Sequence, residues 1–372
     1  MNGANGREFR EKMPRFHPLI VAEVRRETPD CVSVSFSVPT DLRERFRFTQ
    51  GQHVILRAEI DGEELRRTYS ICSAVDEGEL RIAVKRQPHG RFSGWIHDRL
   101  RPGDRIDVMP PRGRFFVPLD PDAARTYVAF VAGSGITPVI SILKTTLARE
   151  PRSRFVLFYG NRDVGSIIFR EELEDLKNRY MTRFALHHVL SAEVSDVMEL
   201  FSGRITPDKL RAWSGRLFRP AEVDAWFLCG PAPMIQDLAD TLVELGVEKP
   251  RLHYEYFTTA GNRPRQARHA SPPVEAVGEE AEVTLLLDGQ RHGFTLAFNS
   301  ETILDAAIAR GIEPPYSCKA GVCSTCRARV VEGKVDMAVN YALEDREVER
   351  GFVLTCQARP LTARVTLDYD ES

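Results

Sequence analysis

Four cysteines constrain this chain more than any other feature of its sequence. Cys318, Cys323 and Cys326 stand at a C-x4-C-x2-C spacing, and Cys356 follows after 29 intervening residues. At this spacing a tight loop supplies three thiolates and a returning segment supplies the fourth, which is the pattern that holds a plant-type [2Fe–2S] cluster. Gly321 keeps the loop small enough for backbone N–H groups to approach the cluster sulfurs.

Two other uses of these cysteines fit the spacing less well. A structural zinc site usually shows two short-spaced pairs, whereas here the first spacing is four residues and the last cysteine stands alone. A disulfide framework suits a secreted chain. The other cysteines, Cys31, Cys72 and Cys229, are isolated from one another in the sequence. The pattern therefore favours an iron–sulfur cluster in a reducing, cytoplasmic compartment.

Length and charge describe a multidomain globular protein. The 372 residues favour two or three domains. The formal net charge of −2 gives no bulk electrostatic case for binding nucleic acid or a membrane surface. No run of about 18 apolar residues is present to span a membrane, and the polar segment 1–7 lacks the apolar core of a signal peptide.

Residues 16–118 show the pattern of short strands joined by turns. The strands are predicted at 19–24, 31–38, 52–60, 67–71, 80–85 and 105–109. Asp61-Gly62 is a typical hairpin turn at the end of one of them. So many short antiparallel strands in about a hundred residues predict a small β-barrel.

The pattern changes at Thr126, where strands begin to alternate with helices. Strands are predicted at 127–132, 154–159, 184–190 and 225–229, with helices ending near 149, at about 170–179 and at 231–245. This alternation predicts a parallel α/β domain over residues 119–258. His187-His188 lies within one of these strands, so the two side chains point to opposite faces and are predicted to be structural.

A linker and a third domain complete the chain. Residues 259–280 are rich in glycine, proline and charge, which predicts a linker. In residues 281–372 we expect a hairpin of strands at 282–287 and 293–298, a helix at about 301–310, and strands near 327–331 and 363–367. A hairpin, a helix, the cysteine loop and return strands in this order predict a β-grasp domain. The charged segment 342–350 is predicted to be a solvated face.

The segment Arg67-Thr-Tyr-Ser70 lies on a strand of the predicted barrel and is suited to a flavin. An arginine binds a pyrophosphate with two hydrogen bonds. An aromatic ring lies against an isoalloxazine, and a hydroxyl bonds near its reactive nitrogen. Because the motif is short, an ordinary strand with a surface arginine is the alternative.

Gly90-Arg-Phe-Ser93 precedes a helix predicted to begin near Ser93 or Gly94. A glycine turn into a helix N-terminus offers N–H groups and a favourable dipole to a phosphate. The simpler interpretation is that Ser93 is the N-cap of that helix. The two interpretations are compatible.

The segment Gly133-Ser-Gly-Ile-Thr-Pro138 follows a buried strand and opens a helix, as a phosphate-binding loop requires. A tight turn without a ligand is the alternative.

Cys229 precedes Gly-Pro at the end of what the pattern indicates is the last strand of the sheet. A cysteine there would face the ligand crevice, although a small buried residue before a turn is the usual finding for a single cysteine.

Two arginines point to the identity of the nucleotide. Arg162 follows the second strand of the predicted sheet, where an arginine binds an adenosine 2′-phosphate. Arg204 is a second candidate. Asp163 lies beside Arg162, and an acidic residue at this point favours NADH. We expect NADPH, with NADH possible.

The motifs R-x-Y-S, G-x-G-x-x-P, C-G-P and C-x4-C-x2-C…C occur in that order. In this the chain resembles the ferredoxin–NADP reductase superfamily fused to a C-terminal plant-type ferredoxin domain, over about residues 16–370. Within the superfamily it is most similar to the reductase subunits of ring-1,2-phenylacetyl-CoA epoxidases. The segments that carry this likeness are 315–330, 340–344, 351–358 and 365–370.

The resemblance implies FAD, a [2Fe–2S] cluster and a nicotinamide nucleotide as cofactors. The expected FAD-binding residues are Arg67, Thr68, Tyr69, Ser70, Val84, Lys85, Gly90 and Ser93. The expected nucleotide-binding residues are Gly133, Gly135, Thr137, Pro138, Arg162, Arg204, Cys229, Gly230, Pro231 and Met234, and Phe257 is expected to cover the flavin. The cysteines Cys318, Cys323, Cys326 and Cys356 are the expected cluster ligands. Ser70 and Cys229 are expected to be catalytic.

The resemblance also implies a reductase that passes electrons from NADPH through FAD and the cluster to a partner oxygenase. The implied partner is a di-iron oxygenase complex that acts on phenylacetyl-CoA. The alternatives are the reductase of an aromatic-ring or steroid hydroxylase and, in another class, a redox sensor without turnover. Ser191 is followed by Ala192, where many NADPH-using relatives carry Ser-Arg, so NADH stays open. Lys319, Arg327 and Arg329 are a candidate docking surface.

Overall fold

The computed structural model describes residues 15–193, 199–257, 280–298 and 300–371. The chain divides into two compact units, Phe16–Arg265 and Gln266–Ser372 with Met1–Arg15. The predicted linker over 259–280 lies outside the described residues except for Glu280, which begins a strand. No helix within the described ranges is long and apolar enough to cross a membrane.

The first part of the larger unit is an antiparallel β-barrel with one helix. Its elements are β1 His17–Thr28, β2 Cys31–Ser37, β3 His53–Ile60, β4 Glu63–Ser70, β5 Leu80–Lys85, α1 Arg91–Arg99 and β6 Arg105–Arg112. The strands pair in the order β4-β3-β6-β1-β2-β5. A bridge between Ile71 and Ile82 joins the two ends of this sheet, which closes the barrel around its apolar core.

Local sequence sets the hairpin between β3 and β4. Asp61 and Gly62 have φ angles of 53° and 76°, and Ile60 pairs with Glu63 across them. Two successive left-handed residues match the twist of the flanking strands, and Asp-Gly adopts them at little cost. The predicted turn is therefore confirmed.

The second part of the larger unit is a parallel sheet with helices on both faces. Its strands are β7 Thr126–Ala132, β8 Arg154–Asn161, β9 Phe184–Leu190, β10 Ala225–Gly230 and β11 Leu252–Tyr256. Its helices are α2 Ile136–Arg149, α3 Arg170–Arg179, α4 Pro207–Trp213 and α5 Ala232–Glu244. The strand order is β11-β10-β7-β8-β9. The strand β11 follows β10, so the prediction that Cys229 ends the last strand was wrong.

Helix α2 lies between the parallel sheet and the barrel. Every residue from Ile136 to Leu147 is buried, including Lys144. The core beneath this helix takes side chains from both parts of the unit, among them Ala83 of the barrel. Cys31, Cys72 and Cys229, isolated in the sequence, all belong to this one core, and each is a free thiol.

The pair His187-His188 is structural, as predicted. The ring of His187 stacks on Phe158 with 4.9 Å between the ring centroids, and it also stacks on Phe201. The ring of His188 lies 6.0 Å from that of Tyr159. The two rings therefore pack against different aromatic neighbours, as alternation along a strand requires.

The smaller unit has the β-grasp arrangement. Its strands are β12 Glu280–Leu287, β13 Gln290–Ala297, β14 Arg327–Glu332, β15 Val335–Met337, β16 Phe352–Leu354, β17 Ala358–Pro360 and β18 Arg364–Asp368. Its helices are α6 Ile303–Ala309 and α7 Asp345–Glu349. Five strands pair in the order β13-β12-β18-β14-β16, and β15 pairs with β17. The cysteine loop lies between α6 and β14.

Helix α7 corrects the prediction of a solvated face over 342–350. Its residue Glu347 is buried, with 4% of its surface exposed. The carboxylate accepts a hydrogen bond of 2.6 Å from Arg327, whose guanidinium lies 4.2 Å from the centroid of the Phe352 ring. A buried carboxylate needs such a counter-charge, and no pattern within the segment itself indicates one.

Candidate functional site

The carboxyl ends of β7 and β10 form the centre of the site. These two strands are neighbours, and the chain continues from β7 to β8 on one side and from β10 to β11 on the other. The order of strands therefore reverses between them, which opens the crevice where α/β sheets bind ligands. The loop at Gly133–Gly135 follows β7. Gly230 ends β10 after Cys229, and Pro231 follows the strand.

Glycines let these two segments approach each other. A Cβ atom on Gly135 would lie 2.3 Å from the carbonyl oxygen of Cys229. A Cβ atom on Gly230 would lie 2.7 Å from Cε of Met234. Gly133 has a φ angle of 53°, and its carbonyl accepts a hydrogen bond of 3.0 Å from the hydroxyl of Tyr159. The loop thus packs directly on the neighbouring strand.

The loop leads into helix α2 without a side-chain cap. Thr137 donates a hydrogen bond of 3.0 Å back to the carbonyl of Ser134. Pro138 lies buried in the first turn, where its missing N–H group costs nothing. The uncapped amides of a helix N-terminus attract a phosphate. The geometry fits the predicted phosphate-binding loop.

A cleft of about 250 Å³ lies beside this loop. Its lining residues are Lys85, Gln87, Ala132, Gly133, Ser134, Gly135, Gly230, Pro231 and Phe257. The cleft brings Lys85, predicted to bind FAD, together with the residues predicted to bind the nucleotide. The barrel and the parallel sheet both contribute to it, so two cofactors bound there would be adjacent. Gln87 was not predicted.

The segment Arg67–Ser70 lies on β4, at one edge of the barrel sheet. Arg67 is exposed and donates a hydrogen bond of 2.7 Å to the carbonyl of Arg66. Tyr69 and Thr68 are partly exposed, and the ring of Tyr69 lies 6.1 Å from that of Phe92. The accessible guanidinium and ring are suited to a flavin nucleotide.

Val84 differs from the other residues predicted to bind FAD. Its side chain is fully buried in the barrel core. Its carbonyl lies 2.9 Å from Nε2 of His97. The side chain of Val84 therefore serves the core, and any part in binding FAD would fall to its backbone.

Ser93 does not cap helix α1. The helix begins at Arg91, so its N-cap is Gly90 and Ser93 lies in the first turn. The Ser93 hydroxyl accepts a hydrogen bond of 3.1 Å from the amide of Gln87 and donates one of 3.2 Å to the carbonyl of Gly90. The N-cap interpretation of Ser93 was wrong, because these bonds close the turn that precedes the helix.

A carboxylate that the sequence analysis missed lies at Ser70. The Ser70 hydroxyl donates a hydrogen bond of 3.1 Å to Oε2 of Glu255, on β11. The other carboxylate oxygen of Glu255 lies 3.7 Å from Nδ1 of His53, which is 4% exposed. The buried His53 ring has no hydrogen-bond partner among the described residues.

The position of Glu255 follows from strand register. In the parallel pair of β10 and β11, Cys229 lies opposite Glu255. Burial, together with the Glu255 carboxylate, raises the pKa of the Cys229 thiol well above its ordinary value. Cys229 is therefore a neutral, fully buried thiol. A glutamate between the aromatic residues Tyr254 and Tyr256 was the sequence signal that could have identified this group.

The two predicted arginines have different surroundings. Arg162 is exposed and donates a hydrogen bond of 2.8 Å to Asp163. Arg204 is exposed and follows Gly203, whose amide bonds to the carbonyl of Leu190 at the end of β9. Both arginines thus stand at the carboxyl end of the sheet, and Arg162 already has a counter-charge.

The four cysteines of the smaller unit form two pairs. A hydrogen bond from the Cys323 thiol, supported by nearby backbone amides, lowers the pKa of Cys318 to about 6. A hydrogen bond from Cys326 lowers the pKa of Cys356. A cluster needs deprotonated thiols, and a two-iron cluster needs two protein thiolates for each iron. Over the described parts of the chain, no three His, Cys, Asp or Glu side chains meet at a single-ion site.

Further groups hold these cysteines. The amide of Ala320 donates a hydrogen bond of 3.3 Å to Sγ of Cys318. The backbone amide and the hydroxyl of Thr355 donate hydrogen bonds of 3.1 and 3.0 Å to the carbonyl of Cys326, and Tyr369 donates one of 2.7 Å to that hydroxyl. The set of four thiols and the hydrogen bonds around them fit an iron–sulfur cluster.

The three basic residues near the cysteine loop are already paired. Lys319 bonds to Asp305 at 2.8 Å, and Arg329 bonds to Glu371 at 2.5 Å. Arg327 is largely buried and bonds to the carboxylate of α7. Each of these three cations thus faces a carboxylate, so they do not form a patch of uncompensated positive charge, and their role in docking stays a prediction.

Three family models match the chain in series. They are an oxidoreductase FAD-binding domain over residues 18–117, an oxidoreductase NAD-binding domain over 130–240, and a 2Fe-2S iron-sulfur cluster binding domain over 285–361. The matches agree with the barrel, the parallel sheet and the β-grasp unit. FAD, a nicotinamide nucleotide and a [2Fe–2S] cluster are the cofactors.

Relatives match over nearly the whole chain. A subunit of the 1,2-phenylacetyl-CoA epoxidase of Escherichia coli is 43% identical over 96% of this chain and 99% of its own length. The ferredoxin reductase component of 3-ketosteroid-9-alpha-monooxygenase from Rhodococcus rhodochrous is 36% identical over 94% and 96%. The structure of phthalate dioxygenase reductase has the same fold, with a TM-score of 0.53 and 24% identity over 95% of this chain and 98% of that one.

Proposed function

Because the chain belongs to the family of flavin- and [2Fe–2S]-containing reductase components of oxygenases, we propose that its partner is a phenylacetyl-CoA epoxidase. The family is shown by identities of 43% and 36% to components of two oxygenase systems, each matched over nearly its full length. The chain is thus an NAD(P)H-dependent oxidoreductase that supplies electrons to an oxygenase. When bound, FAD takes a hydride from the nicotinamide and the cluster passes single electrons onward.

The observation that carries this choice of partner is the difference between the two identities. Both relatives are matched end to end, so the difference of seven percentage points does not come from a missing domain. The oxygenase would then be the di-iron complex that acts on phenylacetyl-CoA. The steroid hydroxylase reductase is the second candidate, supported by its own full-length match.

Within the proposed function the site residues divide by location. Arg67, Thr68, Tyr69, Ser70, Lys85, Gly90 and Ser93 would hold FAD, with Val84 acting through its backbone. Gly133, Gly135, Thr137, Pro138, Gly230, Pro231 and Met234 would hold or shape the nucleotide pocket, with Phe257 over the flavin. Cys318, Cys323, Cys326 and Cys356 would hold the cluster. We add Glu255 to this set because it contacts Ser70.

Ser70, Glu255 and Cys229 would shape the hydride step. The buried thiol of Cys229 is neutral, so it would border the nicotinamide without adding a charge beside the ring. The carboxylate of Glu255 orients the Ser70 hydroxyl through its hydrogen bond. A hydrogen bond to a charged group is stronger than one between neutral groups, so a Glu255 carboxylate would hold the buried Ser70 hydroxyl firmly.

We propose NADPH as the preferred nucleotide, with Arg204 as the main residue that binds the 2′-phosphate. Arg162 pairs with Asp163, which reduces the charge it offers to a phosphate. The comparison of kcat/KM for NADPH and NADH tests this preference. Arg204→Gln should lower kcat/KM for NADPH by roughly tenfold, the loss of one charge-assisted contact, and leave NADH unaffected. Preference for NADH in the wild-type protein would contradict it.

We also propose the domain boundaries 16–118, 119–258 and 281–372, with a linker over 259–280. A cytoplasmic location belongs to the same proposal. The three cysteines outside the cluster motif, Cys31, Cys72 and Cys229, support it as free thiols, because cysteines in a reducing compartment remain unpaired.

Reconstitution with purified oxygenases tests the proposed partner. The protein should support NADPH-dependent epoxidation of phenylacetyl-CoA by the di-iron oxygenase complex, and it should support 3-ketosteroid hydroxylation weakly. Equal or greater steroid hydroxylation would favour the second candidate. Failure to reduce ferricyanide with either nucleotide, in protein that carries flavin and cluster, would instead support a redox sensor.

A further inference from the structure

We propose that Gln357 is a positioning residue for the iron–sulfur cluster, which ties the two cysteine-bearing segments together and raises the cluster's reduction potential. Gln357 directly follows Cys356, the cysteine that reaches the site from the returning segment. The proposal rests on the four cysteines holding the cluster. It concerns a side chain that no motif for the cluster includes.

The backbone of Gln357 is fixed on both sides. Its amide donates a hydrogen bond of 2.8 Å to the carbonyl of Leu354, and its carbonyl accepts one of 3.0 Å from the amide of Ala338. The side chain lies against the cysteine loop, where its Cγ atom would be 3.3 Å from a Cβ atom on Gly321. A glycine at 321 therefore leaves room for the glutamine.

The side-chain amide of Gln357 bridges the two segments. Its Nε2 atom lies 3.6 Å from Sγ of Cys356 and 3.1 Å from the carbonyl oxygen of Lys319. Lys319 is the residue after Cys318, so the bridge joins the first and the last cysteines of the motif. An amide nitrogen has two hydrogens, which is the number that these two acceptors require.

Chemistry determines which way this amide points. The opposite orientation would place the amide oxygen against a carbonyl oxygen and a sulfur, both of which are acceptors. Only the orientation with Nε2 toward them satisfies the contacts. The left-handed φ angle of Lys319, 50°, belongs to the conformation that presents its carbonyl to the amide.

A donor aimed at a ligand sulfur favours the reduced cluster. Reduction adds negative charge, part of which resides on the ligand sulfurs, and a hydrogen bond to sulfur stabilises that charge. A hydrogen bond of ordinary net strength changes such an equilibrium by about two- to tenfold. A tenfold change corresponds to about 59 mV for one electron. Loss of the Gln357 donor should therefore lower the potential.

Redox titration of the full-length protein tests the proposal, with the reduced cluster followed by electron paramagnetic resonance so that flavin does not interfere. Gln357→Leu removes the donor without adding charge, and Gln357→Glu removes it and adds a carboxylate. Gln290→Glu is the matched control. Gln290 begins β13 in the same unit, and its replacement adds the same charge as Gln357→Glu. We expect the lowest reduction potential in Gln357→Glu and the next lowest in Gln357→Leu. The control and the wild type should share the highest value.

The outcomes distinguish the role of Gln357 from the assignment of the four cysteines as cluster ligands. An unchanged potential in a Gln357→Leu protein with a full cluster spectrum refutes the role of Gln357 alone. A lower cluster content with an unchanged potential in the loaded fraction also refutes it, because that is a purely structural effect. A wild-type protein without cluster absorption refutes the cysteine assignment and the proposal together.

Discussion

The contact between the barrel and helix α2 depends on Lys144, and we expect its replacement to destabilise the protein. The ammonium group is 6% exposed and lies 2.9 Å from a carboxylate oxygen of Glu77 and 2.6 Å from one of Glu172. Arg81 of the barrel contacts Glu172 at 3.3 Å. Lys144 therefore joins the barrel to the parallel-sheet part of the unit, and both parts line the cleft that contains predicted cofactor residues.

Lys144→Met should destabilise the protein by about 2 kcal/mol. Removing one partner from a fully buried ion pair costs roughly 3–5 kcal/mol, because the other charge stays buried and unpaired. The cost here is smaller, since Glu77 and Glu172 are 37% and 28% exposed and water can solvate them. Arg81 also remains as a partner for Glu172. The methionine keeps most of the buried aliphatic volume.

Urea unfolding of the full-length protein, followed by flavin fluorescence, measures this loss. Arg170→Met is the control, because Arg170 forms an exposed pair with Glu174 on α3 and should change stability by less than about 0.5 kcal/mol. Stopped-flow reduction of the flavin should also slow in Lys144→Met at saturating nucleotide. If Lys144→Met matches the control in both assays, the buried contact does not hold the barrel and the parallel-sheet part together.

Three further predictions concern the cofactor sites. Ser70→Ala and Glu255→Gln should each slow flavin reduction in stopped-flow measurements. The double variant should be no slower than the slower single variant, because the two groups share a hydrogen bond. Additive losses in rate would contradict this. Gly135→Ala should weaken nucleotide binding at least tenfold in a titration, because the added Cβ would lie 2.3 Å from a backbone carbonyl oxygen. Gly293→Ala is the control and should bind the nucleotide normally, because a Cβ at Gly293 has no atom within 4 Å. Cys323→Ser should lose the cluster absorption and keep the flavin band, and an intact cluster in that variant would overturn the ligand assignment.

Features that depend on neighbouring residues were predicted well. The Asp61-Gly62 hairpin, the strands over 184–190 and the helix over 170–179 follow from turn chemistry and periodicity, which act within a few residues. The cysteine spacing likewise identified the cluster type that the family model matches. Short elements without a strong pattern, such as Pro207–Trp213 and Leu252–Tyr256, were not predicted.

The start of the helix after Gly90 was misjudged for a different reason. A serine followed by glycine resembles a helix N-cap, but Ser93 uses its hydroxyl to close the preceding turn on Gln87. The same hydroxyl can serve either role. Whether the Ser93 hydroxyl caps the helix or closes the turn depends on how the barrel positions that turn, and the local sequence does not specify this.

The sequence by itself determined the type of cluster, the order of the domains and the type of each fold, because spacing and periodicity are local properties of the chain. FAD and the nicotinamide nucleotide followed from the family resemblance that its motifs carry. Only the tertiary structure decided which distant groups meet. Ser70 and Glu255 are 185 residues apart and share a hydrogen bond through the contact of the barrel with β11. The three basic residues beside the cysteine loop each face a carboxylate that only the fold brings to them. Such pairings depend on register and packing, since charge and hydrogen bonding act between neighbours in space.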